Sequence, residues 1–329
     1  MHFLRSGASP PVPMQEELVA QPISIAAEQA GTAAEQAGIE KEGRLTEAEG
    51  WWAQQSWITR IVYWGLHASL LAMFWVGIST ADVALLAATF FARMFFITGG
   101  YHRYFAHKTY QTSRPFQFVL AFFGCSATQK GPLWWAGHHR VHHKYTDQPG
   151  KDTHSPRDGF YHSHQGWIFE SRFDGSALDQ IRDFAQYPEL IWLNRWHVAP
   201  AIALAVFCYL VGGFSGLYWG FAVSTVLLWH ATYSINSLAH IFGKRVYATP
   251  DDSKNNWWLG ILTLGEGWHN NHHHFCVSAR QGFRWWEIDI TYYVLRGLQA
   301  IGVVWDIREP PAHIVEATIE ARAAQKQAA

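Results

Sequence analysis

The 329-residue chain carries 25 Lys and Arg against 26 Asp and Glu, so nothing in its net charge of −1 suits a nucleic-acid partner. Its 16% aromatic content, with 18 Trp, is heavy for a soluble protein and natural for one with aromatic belts at a membrane interface. Three scattered cysteines, Cys125, Cys208 and Cys276, form no CxxC pair, which argues against a thiolate zinc site or a disulfide framework and fits a reduced compartment.

Residues 1–50 are rich in Ala, Glu, Gln and Pro, and AAEQAG occurs at 26–31 and again at 33–38. No apolar face recurs there, so the segment reads as a flexible polar tail, and it lacks the apolar core of a secretory signal. Four apolar stretches follow in two pairs. Ile61–Ser79 and Val83–Thr98 are separated by small residues and Asp82; Val198–Phe214 and Leu217–Leu238 are separated by Gly212, Gly213, Ser215 and Gly216. At 1.5 Å per residue the first reaches roughly 28 Å, about one hydrocarbon core. The tight connections near residues 80 and 214 hold no Lys or Arg, whereas Arg60, Arg103, Lys108, Arg140, Arg195 and Lys244 fall on the other side. The positive-inside rule makes that side cytoplasmic. A shorter stretch, Phe116–Ala127, is about a dozen residues long, too few to span, and reads as a helix in or against the interface. From Pro310 the chain turns Ala- and charge-rich, as a short exposed helix would. The expected organisation is a tail (1–50), one membrane domain (51–309) and a short C-terminal tail (310–329).

Histidine carries the chemistry. His102 and His107 lie in HRYFAH; His139, His142 and His143 in HRVHH; His269, His272 and His273 in WHNNHH. Eight imidazoles are too many for one tetrahedral ion and enough for two. HxxHH puts its ligands at i, i+3 and i+4, on one helix face, so that one turn can offer three imidazoles to a common centre. The i, i+5 pair of HRYFAH covers about 140° of an α-helix, which suggests either different metals or a helix end between them. NSLAH adds His240, with Asn236 four residues before it offering a neutral oxygen or a hydrogen bond to metal-bound water. Iron is preferred because oxygen chemistry needs a redox metal. Glu266, Asp147, Asp152 and Asp158 are the nearby carboxylates that could orient the imidazoles. His67, His197 and His230 read as packing residues, and His138 and His274 break the box spacing. His154, His162 and His164 could support the ligands or face substrate.

The boxes HRYFAH, HRVHH and GEGWHNNHH, with NSLAH, resemble the membrane fatty-acyl desaturases, in particular the acyl-CoA Δ9 (stearoyl-CoA-type) branch and its bacterial relatives. The likeness extends to QKGPLWWAGHHRVHHKYTD, GWIFE, DDSKNNWWLG and SARQGFRWWEID, from about Trp51 to Arg308. It implies an all-α integral membrane fold, four transmembrane helices bearing a cytosolic helical cap with a dimetal centre. The implied ligands are His102, His107, His139, His142, His143, His240, His269, His272 and His273, with Asn236 acting through water. His138 is a departure, standing where the animal enzymes have an acidic residue. The implied reaction inserts one cis double bond into a saturated acyl chain, favouring acyl-CoA, with two irons, dioxygen as co-substrate and two electrons. With no cytochrome b5 haem motif in the chain, a separate ferredoxin-like or cytochrome b5 donor is expected. A bent apolar tunnel would hold the chain by shape; Phe90 and Met94 could plug its end, Trp134 could border it, and Asn255, Asn256 and Trp258 could lie along it. Lys130, Arg157 and Lys254 are further candidates for its polar mouth. An acyl-lipid desaturase, a membrane hydroxylase with similar boxes and a metal-transport protein are the competing readings. Transporters place their ligands at mid-membrane, whereas these boxes lie past the ends of the spans.

Overall fold

The computed structural model describes residues 56–320; the tail expected over 1–50 lies outside them. The first helix, α1 (Ser56–Ser69), tightens into a 3₁₀ turn at Leu70–Phe74. Ser79 then starts α2 (Thr80–Phe95) with a reciprocal cap: its hydroxyl accepts from the Asp82 N–H, and the Asp82 carboxylate accepts from the Ser79 N–H. Asp82, read as part of a connection, is thus a first-turn residue. Beyond Phe95 the helix runs on as a π-helix over Phe96–Ala106, well past the expected end at Thr98.

A short strand β1 (Gln111–Thr112) pairs antiparallel with β2 (Val304–Trp305), tying the segment after the π-helix to the C-terminal part of the described chain. The stretch expected at the interface forms α3 (Arg114–Cys125), which packs its buried face, including Leu120 and Ala121, into the main core with Tyr101 and Phe105. Next come α4 (Pro132–Tyr145), α5 (Phe160–His164) and α6 (Pro188–Arg195). Helix α7 (Ala199–Gly216) runs through a π segment, Leu217–Val223, into α8 (Ser224–Asn236) and α9 (Leu238–Ile241).

That last run is helical over 43 residues, but it is not one rod. Gly212 and Gly213 leave helical geometry, Gly213 at φ +59°, where a side chain is disfavoured. A Cβ on Gly216 would lie 2.4 Å from the Cys208 carbonyl oxygen, although eight residues of straight helix span about 12 Å. The chain therefore turns back on itself where the glycines were expected to break it. Helices α10 (Trp257–Leu262), α11 (His269–His274), α12 (Ile290–Ala300) and α13 (Ala312–Glu316) complete the described fold.

Two helical runs, Thr80–Ala106 and Ala199–Ile241, are long and apolar enough to cross a membrane. Their apolar windows are only 44% and 22% buried, unlike the core helices of a water-soluble protein. Phe74, Trp75 and Leu210 are more than three-quarters exposed.

A basic side chain lies deep inside this bundle. Arg93 is 2% exposed and has no carboxylate partner among the described ion pairs. Its guanidinium donates to Ser224 Oγ (2.6 Å), Thr225 Oγ1 (2.7 Å) and the Thr89 carbonyl (3.1 Å). Removing the partners of a buried charge costs more than removing the charge itself. The pair Ser224→Ala/Thr225→Val is expected to destabilise the protein by about 2 kcal/mol or more, and Arg93→Met by less. Melting in detergent checks the order, and the reverse order would contradict this account.

Candidate metal centre

The site is assembled from the C-terminal ends of the two apolar runs and from two short helices, α4 and α11. The π segment explains the spacing of the first box. In π-helical geometry residues i and i+5 share a face, and the His107 N–H donates to the His102 carbonyl (3.1 Å). His102 and His107 therefore point the same way, with ring centroids 4.8 Å apart. The expectation that they serve different metals is not met; His107, at the C-cap, does stand at the helix end.

Nine imidazoles gather into two groups. In the first, ligand atoms of His102, His107, His139, His143 and His272 all lie within 4.8 Å of one another; in the second, those of His142, His240, His269 and His273 do. The single centre expected for HRVHH is corrected here. His139 and His143, one full turn apart, join the first group, and His142 joins the second. WHNNHH divides the same way, with His269 and His273 in the second group and His272 in the first. A helix face about 100° wide offers i and i+4 to one side and i+3 to the other.

The Nε2 atoms face one another at 3.1 Å (His102–His272), 3.0 Å (His143–His272), 2.9 Å (His107–His139) and 3.0 Å (His240–His269). Two nitrogens held about 2.1 Å from one ion at right angles would be about 3.0 Å apart, so these groups fit metal ions. His273 Nε2 is buried without a hydrogen-bond partner, as a ligand atom would be. Burial, and then the neighbouring imidazoles, push His107, His139, His143, His269 and His272 well below their ordinary pKa. Neutral imidazole is the form that binds a cation.

Carboxylates hold the rings from behind. Glu266 Oε2 meets His102 Nδ1 at 2.5 Å, Asp152 meets His142 Nδ1 at 2.8 Å, Asp147 meets His240 Nδ1 at 2.9 Å and Asp251 meets His273 Nδ1 at 3.2 Å. Each contact fixes a tautomer and aims Nε2 inward. Burial alone would raise the Glu266 carboxyl, but His102 and Arg103 outweigh it and hold it at about 2. The His240 hydrogen bond likewise overcomes burial at Asp147, leaving it at about 2. His142 and His273 do the same for Asp152 and Asp251. Four buried carboxylates behind the imidazoles bring negative charge that Arg103, shared by Glu266 and Asp289, offsets only in part. Two divalent cations would complete the balance.

Glu266, Asp147 and Asp152 thus stand behind histidines, whereas Asp158 accepts from the Gly150 N–H in a turn. Asp251 was missed: it lies 22 residues from the ring it supports, and no local spacing marks it. His154 stacks on His142 (4.3 Å) beside Asp152. His138 bonds the Trp134 carbonyl and His274 stacks on Tyr247, so neither joins a group. His67, His230 and His164 form a hydrogen-bonded chain with 2.9 Å links that joins α1, α8 and α5.

A cavity reaches the two groups, lined near them by His102, His139, His142, His269 and Asn236. Met94, Ile97 and Thr98 of the α2 run line it, as do Trp134 and Lys130. Trp135 stacks on His139 (5.0 Å) and donates through Nε1 to Gln129, whose amide donates to Thr232. Other tunnel candidates lie elsewhere. Phe90 is buried in the core and does not line the cavity. The Asn255 side chain accepts from the Asn270 and Asn271 N–H groups and donates to the Asn271 amide oxygen, and Asn256 caps α10, so both amides are committed within the fold. Trp258 is exposed on α10, Arg157 pairs with Asp252, and the Lys254 ammonium donates to the His240 carbonyl.

Long apolar helices that end in two neutral imidazole groups backed by buried carboxylates are marks of a membrane-associated, metal-dependent oxidoreductase. The chain belongs to the fatty acid desaturase family, whose model matches residues 75–306. It is 34% identical over 273 residues to the sn-2 palmitoyl-lipid 9-desaturase of Nostoc sp. (strain 36), covering 82% of this chain and 96% of that protein. It is 40% identical over 217 residues to the chloroplastic palmitoyl-monogalactosyldiacylglycerol delta-7 desaturase of Arabidopsis thaliana, 65% of this chain and 58% of that protein. It is 36% identical over 261 residues to the acyl-CoA 5-desaturase AL21 of Anemone leveillei, 76% of this chain and 78% of that protein.

Loss of an orienting carboxylate is expected to weaken metal binding about 10–100-fold. Asp251→Ala should therefore lose metal to a chelator at lower concentration than wild type, measured by elemental analysis after dialysis. Equal retention would show that Asp251 does not orient His273.

Proposed function

We propose that this chain is an oxygen-dependent acyl desaturase that inserts a cis double bond at the 9 position of a saturated acyl chain. The observation that carries this reading is the division of nine histidines into groups of five and four at one cavity. His102, His107, His139, His143 and His272 would hold one iron; His142, His240, His269 and His273 would hold the other, with Asn236 beside them on the cavity wall. Bound iron would supply the redox chemistry, with dioxygen, two electrons and two protons consumed as a methylene pair becomes an alkene and two waters leave. The protein's share is to aim the imidazoles with Glu266, Asp147, Asp152 and Asp251, and to keep water from the reacting carbons. The Trp135–Gln129–Thr232 chain gives the cavity a fixed wall beside His139, which suits a substrate with nothing to hydrogen-bond.

The same reading takes α1, the α2 run and the two legs of the Ala199–Ile241 run as four membrane crossings, with the histidine boxes on the cytoplasmic side. Electrons would come from a separate ferredoxin-like or cytochrome b5 carrier. The 9 position is supported by the sequence motifs and by the Nostoc relative's name. For the carrier, the motifs favour coenzyme A, while the relatives' names include acyl lipids as well as acyl-CoA.

Expression in a host lacking its own Δ9 desaturase, with His139→Ala as control, tests the reaction. New cis-monounsaturated acids only with the intact chain support it; hydroxylated lipids would point to the hydroxylase reading. Met94→Ala is expected to shift the product profile towards longer chains, because Met94 is fully buried and lines the cavity. An unchanged profile in fatty-acid methyl esters would remove Met94 from the tunnel end.

A further inference from the structure

Among the described residues, one ring of the five-histidine group rests on a carboxylate, His102 on Glu266, against three rings of the other group. His272 is the ring where this difference matters most. Its Nε2 faces two other inward nitrogens, those of His102 at 3.1 Å and His143 at 3.0 Å. The ring is buried and neutral, since burial and then His102 hold it well below its ordinary pKa. A neutral ring that offers the Nε2 lone pair to a cation carries its hydrogen on Nδ1. That buried N–H needs an acceptor. Among the described residues, the side chain within hydrogen-bond range of His272 Nδ1 is Gln281, whose Nε2 lies 3.5 Å away.

Gln281 is placed there by its main chain. Its N–H donates to Asp289 Oδ2 (2.7 Å), at the cap of α12, and its carbonyl accepts from Asn271 Nδ2 (2.8 Å), on the residue before His272. Asp289 is held in turn by Arg103, the residue after His102. The Gln281 side chain is 1% exposed. Its Nε2 lies 3.0 Å from Glu266 Oε2 and 3.4 Å from His102 Nδ1, while its Oε1 has no hydrogen-bond partner. A buried amide oxygen without a partner is uncommon in a folded protein. Here the amide combines what the two neighbours need, a donor for the Glu266 carboxylate and an acceptor for the His272 ring. A carboxylate at 281 would instead set a second negative charge against Glu266.

We infer that Gln281 is a positioning residue for the five-histidine centre: its Nε2 donates to Glu266 while its Oε1 accepts from His272 Nδ1–H, which aims His272 Nε2 at the ion. The inference rests on the reading of the two imidazole groups as metal centres. The last torsion of a glutamine side chain is soft, so Oε1 can turn to the ring while Nε2 keeps its carboxylate. His102 and His272 then depend on one side chain, His102 through Glu266 and His272 directly. Residue 281 lies outside every histidine box, so this support comes to WHNNHH from another segment of the chain.

The test uses the full chain, purified in detergent and loaded with ⁵⁷Fe. Five and four imidazoles give the two irons different surroundings, so Mössbauer spectra follow each separately, and iron content is measured after graded chelator. Gln281→Met keeps the length of the side chain and removes both polar contacts. It is expected to change the signal of one iron and to release that iron at a chelator concentration about 10–100-fold lower. The other iron should keep its signal and its retention. In Gln281→Glu a proton shared with Glu266 restores both a donor and an acceptor, and most of the lost retention should return. Unchanged signals and retention in Gln281→Met overturn the inference, as does equal weakening of both irons, which would mark a general loosening of the fold. Gln281→Glu no better than Gln281→Met also counts against it, because the polar contacts would then not be what position 281 supplies. If Gln281→Met does not fold, Gln281→Leu replaces it. Wild type that holds fewer than two irons overturns the two-centre reading itself.

Discussion

Everything at this site depends on one electrostatic constraint: nine imidazoles must be brought together with ring nitrogens pointing inward. Left to itself such an arrangement is unfavourable, because the rings are desolvated and their inward nitrogens approach within about 3 Å. The carboxylates of Glu266, Asp147, Asp152 and Asp251 offset this from the far side of four rings. The support is unequal, since three of the four carboxylates serve the group of four histidines and one serves the group of five. Glu266 has the widest reach. It bridges His102 and Arg103, and Arg103 in turn holds Asp289 and the Ala279 carbonyl, so the first box is bound to the C-terminal part of the fold.

Helical geometry delivers the rings to that arrangement. The π segment Phe96–Ala106 puts two histidines five residues apart on one face. The α-helical boxes on α4 and α11 do the reverse and send neighbouring histidines to different groups. Widening one helix and shortening two others thus turns three linear motifs into two compact centres. The reversal at Gly212 and Gly213 completes the frame, because it returns the chain along α8 to present Asn236 and His240. Arg93 helps hold that return, bonding α2 to Ser224 and Thr225 at the start of α8.

The cavity inherits its chemistry from the same elements. Where α4 passes the first group, Trp135 covers His139 and is fixed by Gln129 and Thr232. At the far side α1 forms a thin wall, attached by the stack of Tyr63 on Trp229 and by the His67–His230–His164 chain. These three histidines, which by sequence are isolated packing residues or substrate-side candidates, therefore tie α1 to α8 and α5 and stand apart from both imidazole groups. A featureless methylene chain can be placed only by such walls, and rigid aromatic and amide contacts supply them beside His139.

By itself the sequence determined the histidine boxes, the apolar runs and the glycine break, because each is a local matter of residue type and spacing. It also marked Glu266, Asp147 and Asp152 as carboxylates near the boxes, but folding sends Glu266 and Asp147 to histidines of other boxes. The same spacing also identified the desaturase resemblance, since HRVHH and WHNNHH are contiguous. Only the tertiary structure decided which histidine joins which group, because that depends on whether a turn is α or π and on how α4 faces α11. It also decided that Asp251, and not Asp158, supports a ring, and that the Asn255 and Asn256 amides are used within the fold. Partners 15 or 22 residues away are chosen by folding, not by periodicity.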